Sequence, residues 1–430
     1  MKKNNTISKS ERWLLLYYAI LLVVLTSWRN IEVAPPMTFR LAFLAMVLIP
    51  AFFRKDVLPV ALTCFLSIAL NGYAYSYMPT MLYIYAGIVF LMSFAMKDRN
   101  SFPIPNMVLL LTVYVTVVNV VMGGHVLHDF TCSFAMFLLF YLMIGRDDSS
   151  FYDKMCFAYA VVTLALSILF LTAFDQFAVQ YSALGSNLER SGWTDPNYFG
   201  TVLGIGTVFS VLQLYNRRDL STLVRIFYIV VIGVSVIALA TNASRGSIVA
   251  VAGSLAIVML FSKARPIYKL LALAAAAVFI VFVYNSGYMD LLIYRSMDET
   301  AETAGGRTTI WISKLNAWMN GGIFNVICGT GIEAGYLVTG SNLGFHNDFV
   351  AALVDFGLIG FVVFMSILIK PVVMVFRSKS ANRVTVYTLS AYLFLVSMSL
   401  EPLTSGRFPY IMLLLTIYII ANQSAMRKTV

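Results

Sequence analysis

Fourteen apolar stretches divide this chain, and the polar segments between them alternate in basic content. The stretches lie near 13–28, 37–53, 57–72, 80–96, 104–122, 130–145, 155–174, 197–215, 226–241, 246–262, 270–286, 349–369, 384–400 and 408–421. A helix crosses the hydrocarbon core with about 20 apolar residues, and shorter spans are tolerated when neighbours adjust. With a cytoplasmic N-terminus, 22 of the 30 Lys and Arg fall in cytoplasmic segments and 8 on the other face. Sustained over the whole length, this is the positive-inside pattern. Backbone groups in hydrocarbon must pair within their own segment, so spans of this length are helices. The expected fold is an all-α polytopic membrane protein of about 14 transmembrane helices (12–14). Both termini lie inside, and one long loop lies outside. The basic start and first apolar run lack a small-residue cleavage site, so they read as an uncleaved first span.

Composition agrees. Hydrophobic residues make up 60% and charged residues 12%, which excludes a soluble domain. The net charge of +10 does not point to nucleic acid, because the surplus sits on the cytoplasmic face, where it suits an anionic leaflet. Of the acids, seven lie in cytoplasmic segments and twelve outside, and Asp355 lies within a span. An intramembrane acid reads either as a functional group or as an interhelical hydrogen-bonding partner. The four cysteines form neither a disulfide framework nor a zinc set. His125 and His128 beside Asp129 have helical spacing but no further ligand, so no metal site is expected. Small residues at Gly204, Gly206, Ala272 and Ala274 to Ala277 permit close helix approach. The divisions are membrane helices over 1–174, an outside segment over 175–196, membrane helices over 197–286, a long outside loop over 287–348, and C-terminal helices over 349–430. Spans 384–400 and 408–421 flank Glu401-Pro402 and Arg407, and read as a helical hairpin or one broken helix.

The outside cations are the anomaly: Arg29, Arg40, Arg190, Arg245, Arg295, Arg307, Lys314 and Arg407, seven of them Arg. Four constellations hold the informative ones. Arg190 through Asp195-Pro196-Asn197 precedes a span with a turn and helix-start signal. Thr241-Asn242-Ala243-Ser244-Arg245-Gly246 is a tight outside turn, where Asn or Ser can cap the next helix. Gly305-Gly306-Arg307 opens a loop helix on which Trp311, Leu315 and Trp318 share one apolar face, and the loop is expected to fold back over the outer mouth of the bundle. Phe345-His346-Asn347-Asp348-Phe349 enters a span, with Asn347 or Asp348 as its cap. Each has a plain alternative: a solvated helix entry, an interfacial anchor, a flexible turn, an interfacial histidine. Taken together they set three arginines and one histidine at the outer membrane boundary. Guanidinium suits a phosphate through bidentate, charge-assisted bonds. Such a site would stabilise a departing lipid-linked diphosphate, with His346 accepting a hydroxyl proton. Gly329-Thr330-Gly331 has only a superficial likeness to a nucleotide loop, since no strand precedes it.

At these residues the chain resembles the O-antigen ligase and O-antigen polymerase family of bacterial inner membranes. The matching pieces are Asn242-Ala-Ser-Arg245-Gly246, Gly306-Arg307 with Trp311, Gly329-Thr-Gly331, and Phe345-His346-Asn347-Asp348-Phe349 with the tail Gly357-Leu-Ile-Gly360. Arg190 through Asn197 looks like an earlier outside motif of the family. The resemblance covers roughly residues 190–370. It implies metal-independent glycosyl transfer from undecaprenyl diphosphate on the periplasmic face, with inversion at the anomeric carbon and no cofactor. It implies diphosphate contacts for Arg245, Arg307 and Arg190, acceptor activation by His346, and supporting roles for Asp195, Asn197, Asn347, Asp348 and Trp311. The implied partners are a lipid-linked glycan donor, a glycan acceptor, membrane lipid and a chain-length regulator. Fourteen spans favour a repeat-unit polymerase; the alternative is a ligase acting on lipid A core. A lipid-linked oligosaccharide flippase or transporter is the reading from another class. It expects ionisable residues or broken helices near the midplane, and these spans carry almost no charge.

Overall fold

The computed structural model describes residues 104–122, 129–144, 151–172, 196–293 apart from 218 and 291, 307–332, 344–378 and 382–426, with isolated positions between 12 and 46. The first four expected spans therefore lie outside the described residues, apart from those isolated positions. So do His125, His128, Arg190, Asp195, Arg295, Gly305 and Gly306. Every regular element among the described residues is α-helical. The helices are α1 (Asn106–Val121), α2 (Asp129–Met143), α3 (Phe151–Thr172), α4 (Pro196–Asn216), α5 (Thr222–Thr241), α6 (Arg245–Phe261), α7 (Pro266–Asn285), α8 (Arg307–Asn320), α9 (Ile323–Cys328), α10 (Asp348–Ser378), α11 (Arg383–Ser399) and α12 (Phe408–Met426). Six of them, α3, α4, α5, α7, α10 and α12, are long and apolar enough to cross a membrane. A 20-residue helix spans about 30 Å, the thickness of the hydrocarbon core. The chain is a helical multi-pass membrane protein. The segments 384–400 and 408–421 are two separate helices, α11 and α12, joined by a turn over 400–407.

The described helices fall into two compact units. In the first, α4 is the centre and packs against α3, α5 and α6. Small and hydroxyl residues set the spacing. A Cβ on Gly206 would lie 1.9 Å from Thr163 Oγ1 and 2.9 Å from the Tyr159 carbonyl oxygen, so only glycine admits α3 this closely. Thr207 and Ser235 hydroxyls meet at 2.8 Å across α4 and α5. Near the start of α3, buried Asp153 accepts from Gln213 Nε2 at 2.9 Å and pairs with Arg217. Close approach is used at Gly206 and not at the alanine run: Ala272 and Ala274 to Ala277 are exposed on α7.

The second unit is built on α10. It packs against α1, α8, α9, α11 and α12, and α2 packs on α1 and α12. α10 is not one continuous helix. Gly357 has φ 66° and ψ −174°, which breaks the helix near its first third. Only glycine adopts such a conformation without a large penalty. The break frees carbonyls that a membrane helix cannot leave unpaired. The long loop supplies the missing donors. Thr330 N–H donates to the Val354 carbonyl and Gly331 N–H to the Asp355 carbonyl, both at 3.0 Å. The Tyr114 hydroxyl lies 3.1 Å from the Phe356 carbonyl oxygen and 3.0 Å from that of Cys328. A Cβ on Gly329 would lie 2.2 Å from the Asp355 carbonyl oxygen, so the contact is backbone against backbone. The segment with a superficial likeness to a nucleotide loop is thus a clamp on a broken membrane helix.

Candidate functional site

His346 stands in the turn that enters α10, half-buried, with φ 49°. A left-handed backbone is uncommon outside glycine, and His, Asn and Asp tolerate it best. It persists here because the turn is held on all sides. Asn347 is the helix cap: its Oδ1 accepts the N–H of Phe349 at 2.9 Å and of Val350 at 3.1 Å. Its Nδ2 donates to the Met398 carbonyl at 3.2 Å. Asp348 therefore does not cap the helix and has a different task. Its fully buried carboxylate accepts Ser397 Oγ at 2.6 Å, Thr404 N–H and Thr404 Oγ1 at 2.8 Å each, and Leu403 N–H at 3.1 Å. In return, the Asp348 N–H donates to the Leu400 carbonyl at 3.0 Å. This network ties the entrance of α10 to the 400–407 turn.

That turn answers with a carboxylate of its own. Glu401 Oε2 accepts the Phe345 N–H at 2.8 Å. Burial pushes the Glu401 carboxyl above its usual range; the Phe345 N–H and the charges of Arg407 and Lys314 pull the other way. From the opposite side, Trp311 Nε1 donates to the Phe345 carbonyl at 2.7 Å. The loop helix α8 is thereby fastened to the His346 turn. Trp318 is buried with Phe345, Ala351 and Val354, and Leu315 packs at the edge of this cluster. The apolar face expected of α8 forms, and it lies on the entrance of α10.

The same face carries a cation that sequence reasoning left among the outside residues. The Lys314 ammonium sits 4.1 Å from the centroid of the Phe345 ring, and the residue is 1% exposed. Burial lowers the pKa of Lys314, while Asp355 and Glu401 oppose the shift. Lys314, Phe345 and Glu401 lie at spacings a sequence cannot pair. The helical series 307, 311, 314, 318 does place Lys314 on the face of the two tryptophans. Arg307 is the first residue of α8 and is half-buried.

Arg245 and Asn197 belong to the first unit. Ala243 turns the chain with φ 53° between α5 and α6. Its side chain is fully buried, which fits a small residue there. Ser244 precedes α6, but its hydroxyl does not cap that helix. It donates instead to Asn197 Oδ1 at 3.2 Å, and Ser247 Oγ donates to the Asn197 carbonyl at 3.2 Å. A Cβ on Gly200 would lie 2.6 Å from both Asn242 Nδ2 and Ser247 Oγ. The start of α4 and the turn bearing Arg245 are thus brought together side by side. Arg245 opens α6, half-buried.

Residues 228–365 match a family model described as O-antigen ligase. The matched stretch contains Arg245, Arg307, Trp311 and His346, and ends before Glu401. None of the curated proteins matches the chain.

Proposed function

We propose that the chain is a metal-independent glycosyltransferase of the bacterial inner membrane, a reading supported by the match of residues 228–365 to a family model described as O-antigen ligase. It moves a glycan from undecaprenyl diphosphate to a sugar hydroxyl on the periplasmic face. His346 accepts the hydroxyl proton as the new bond forms. Arg245, Arg307 and Arg190 stabilise the charge that grows on the diphosphate as the sugar–phosphate bond breaks. Asp195, Asn197, Asn347, Asp348 and Trp311 support these groups. The observation that carries the reading is the turn at His346. His346 stands on a left-handed backbone in a turn held by the Glu401, Asn347 and Trp311 contacts.

We assign the acceptor as a second lipid-linked repeat unit, which makes the protein a surface polysaccharide polymerase. The fourteen apolar stretches support this assignment. The match to an O-antigen ligase family model favours a second reading, a ligase, for which the acceptor would be lipid A core. Purified protein incubated with lipid-linked repeat units, with and without lipid A core, separates them. A ladder of glycans on undecaprenyl diphosphate is the polymerase result. A shift of lipid A core alone is the ligase result. Both activities should survive EDTA, and loss of activity restored by added divalent metal would refute arginines acting in place of a metal.

Arg245→Lys tests the guanidinium directly. Lysine keeps the charge but loses the bidentate fork. The loss of one charge-assisted hydrogen bond predicts a fall in transfer rate of about 10–100-fold. Wild-type rates would mark Arg245 as a boundary anchor.

A further inference from the structure

We propose that Glu401 is a positioning residue for this transfer: its carboxylate fixes the Phe345–His346 turn and so sets the direction of the His346 imidazole. The inference rests on the reading of His346 as the proton acceptor.

Four observations converge on it. First, the Phe345 N–H, next to the left-handed residue, donates to the Glu401 carboxylate at 2.8 Å. Second, space is reserved for it. A Cβ on Gly344 would lie 2.3 Å from Glu401 Oε1, so a side chain there would push the carboxylate aside. Third, Phe345 is gripped at both of its backbone polar groups. Its N–H donates to Glu401, and its carbonyl accepts from Trp311. Fourth, Glu401 stands on a rigid support. Asp348 holds the N–H groups of Leu403 and Thr404. Gly406, with φ 65°, abuts the backbone of Asp129 at the start of α2, and Ser133 Oγ donates to the Gly406 carbonyl.

The physical need for such a device lies in the left-handed backbone at His346. A non-glycine residue held there stores strain and persists only where its surroundings over-determine it. Without the carboxylate, the turn relaxes toward an ordinary conformation. The Cα–Cβ vector of His346 then swings, and the imidazole leaves the position from which it meets an acceptor hydroxyl. A carboxylate is costly to bury unless its hydrogen bonds are made. Lys314 and Arg407 supply the compensating charge.

The test is steady-state kinetics on detergent-purified full-length protein with a lipid-linked repeat unit as donor and acceptor. In Glu401→Gln the neutral amide oxygen accepts the Phe345 N–H more weakly than the carboxylate does, so the hold on the turn loosens. The expected result is a fall in kcat of about 10–100-fold, as for displacement of a catalytic group by about 1 Å, with KM for the donor within about twofold. Gly344→Ala presses on the same carboxylate without changing its charge and serves if the first variant does not fold; a fall in kcat of about 3–10-fold is expected. Wild-type kcat in whichever of these variants folds overturns the proposal. So does an effect confined to the amount of folded protein, with kcat per folded molecule unchanged. His346→Ala separates this failure from that of the underlying reading. An inactive His346→Ala beside a fully active Glu401→Gln removes only the positioning role, whereas an active His346→Ala removes the base and the positioning role together.

Discussion

Protein carrying His346→Ala is expected to insert and fold normally and to lose glycan transfer by about 10²–10⁴-fold, the contribution of a positioned general base. The backbone at this position complicates the experiment in a useful way. His346 has φ 49°, and alanine tolerates that conformation less well than histidine. Asparagine tolerates it about as well. His346→Asn therefore keeps the turn and removes only the imidazole. Both variants should be inactive, and both should elute as the wild type does in detergent. An active His346→Asn would show that the turn matters and the imidazole does not. Activity in both would remove the residue from the chemistry.

Asp348→Ala should be the most destabilising single change in the described part of the site. It deprives Ser397 Oγ, Thr404 Oγ1 and the N–H groups of Leu403 and Thr404 of their shared acceptor inside a fully buried pocket. Unsatisfied buried donors cost about 1–3 kcal/mol each, and partial rescue by water leaves a net of about 3–5 kcal/mol. The apparent melting midpoint in detergent should drop by roughly 10 °C. Asp348→Asn should cost much less. Its amide oxygen can keep the Thr404 and Leu403 donors, while Ser397 can reverse to accept from the new N–H₂. A mild Asp348→Ala beside a severe Asp348→Asn would contradict the network. The two carboxylates are reciprocal: Asp348 holds the turn that carries Glu401, and Glu401 holds the turn that precedes Asp348. Loss of stability in Asp348→Ala should therefore bring loss of activity with it.

Among the described residues, helix positions were legible because the bilayer imposes a length and an apolar composition that a sequence displays directly. α10 begins within a residue of its expected start, and α11 and α12 occupy the two short C-terminal stretches. The break at Gly357 was not legible. A glycine in an apolar span is ordinary, and what makes this one a break is Gly329 pressing against its backbone from the long loop. The partner of Gly329-Thr330-Gly331 lies more than twenty residues downstream, so local pattern could suggest only a superficial nucleotide loop. The turn at His346 and its neighbour Trp311 could be singled out from residue type, and Asn347 from capping chemistry. Asp348 shared that capping signal, but its donors come from 397–404, about fifty residues away. Glu401 was noticed only as a possible helix interruption beside Pro402. Its signal was an acid in a short turn between two spans, and nothing nearby in sequence announced the turn it would hold. Lys314 could have been found, since it falls on the Trp311 and Trp318 face at helical spacing.

The most direct test of the account counts products. Purified protein is given a lipid-linked repeat unit, and released undecaprenyl diphosphate and new glycosidic bonds are measured in the same reaction. One diphosphate lipid freed per bond formed, with both products absent in His346→Asn, is the predicted result. Bonds formed without release of that lipid, or lipid carried across the bilayer with no bond formed, would contradict it.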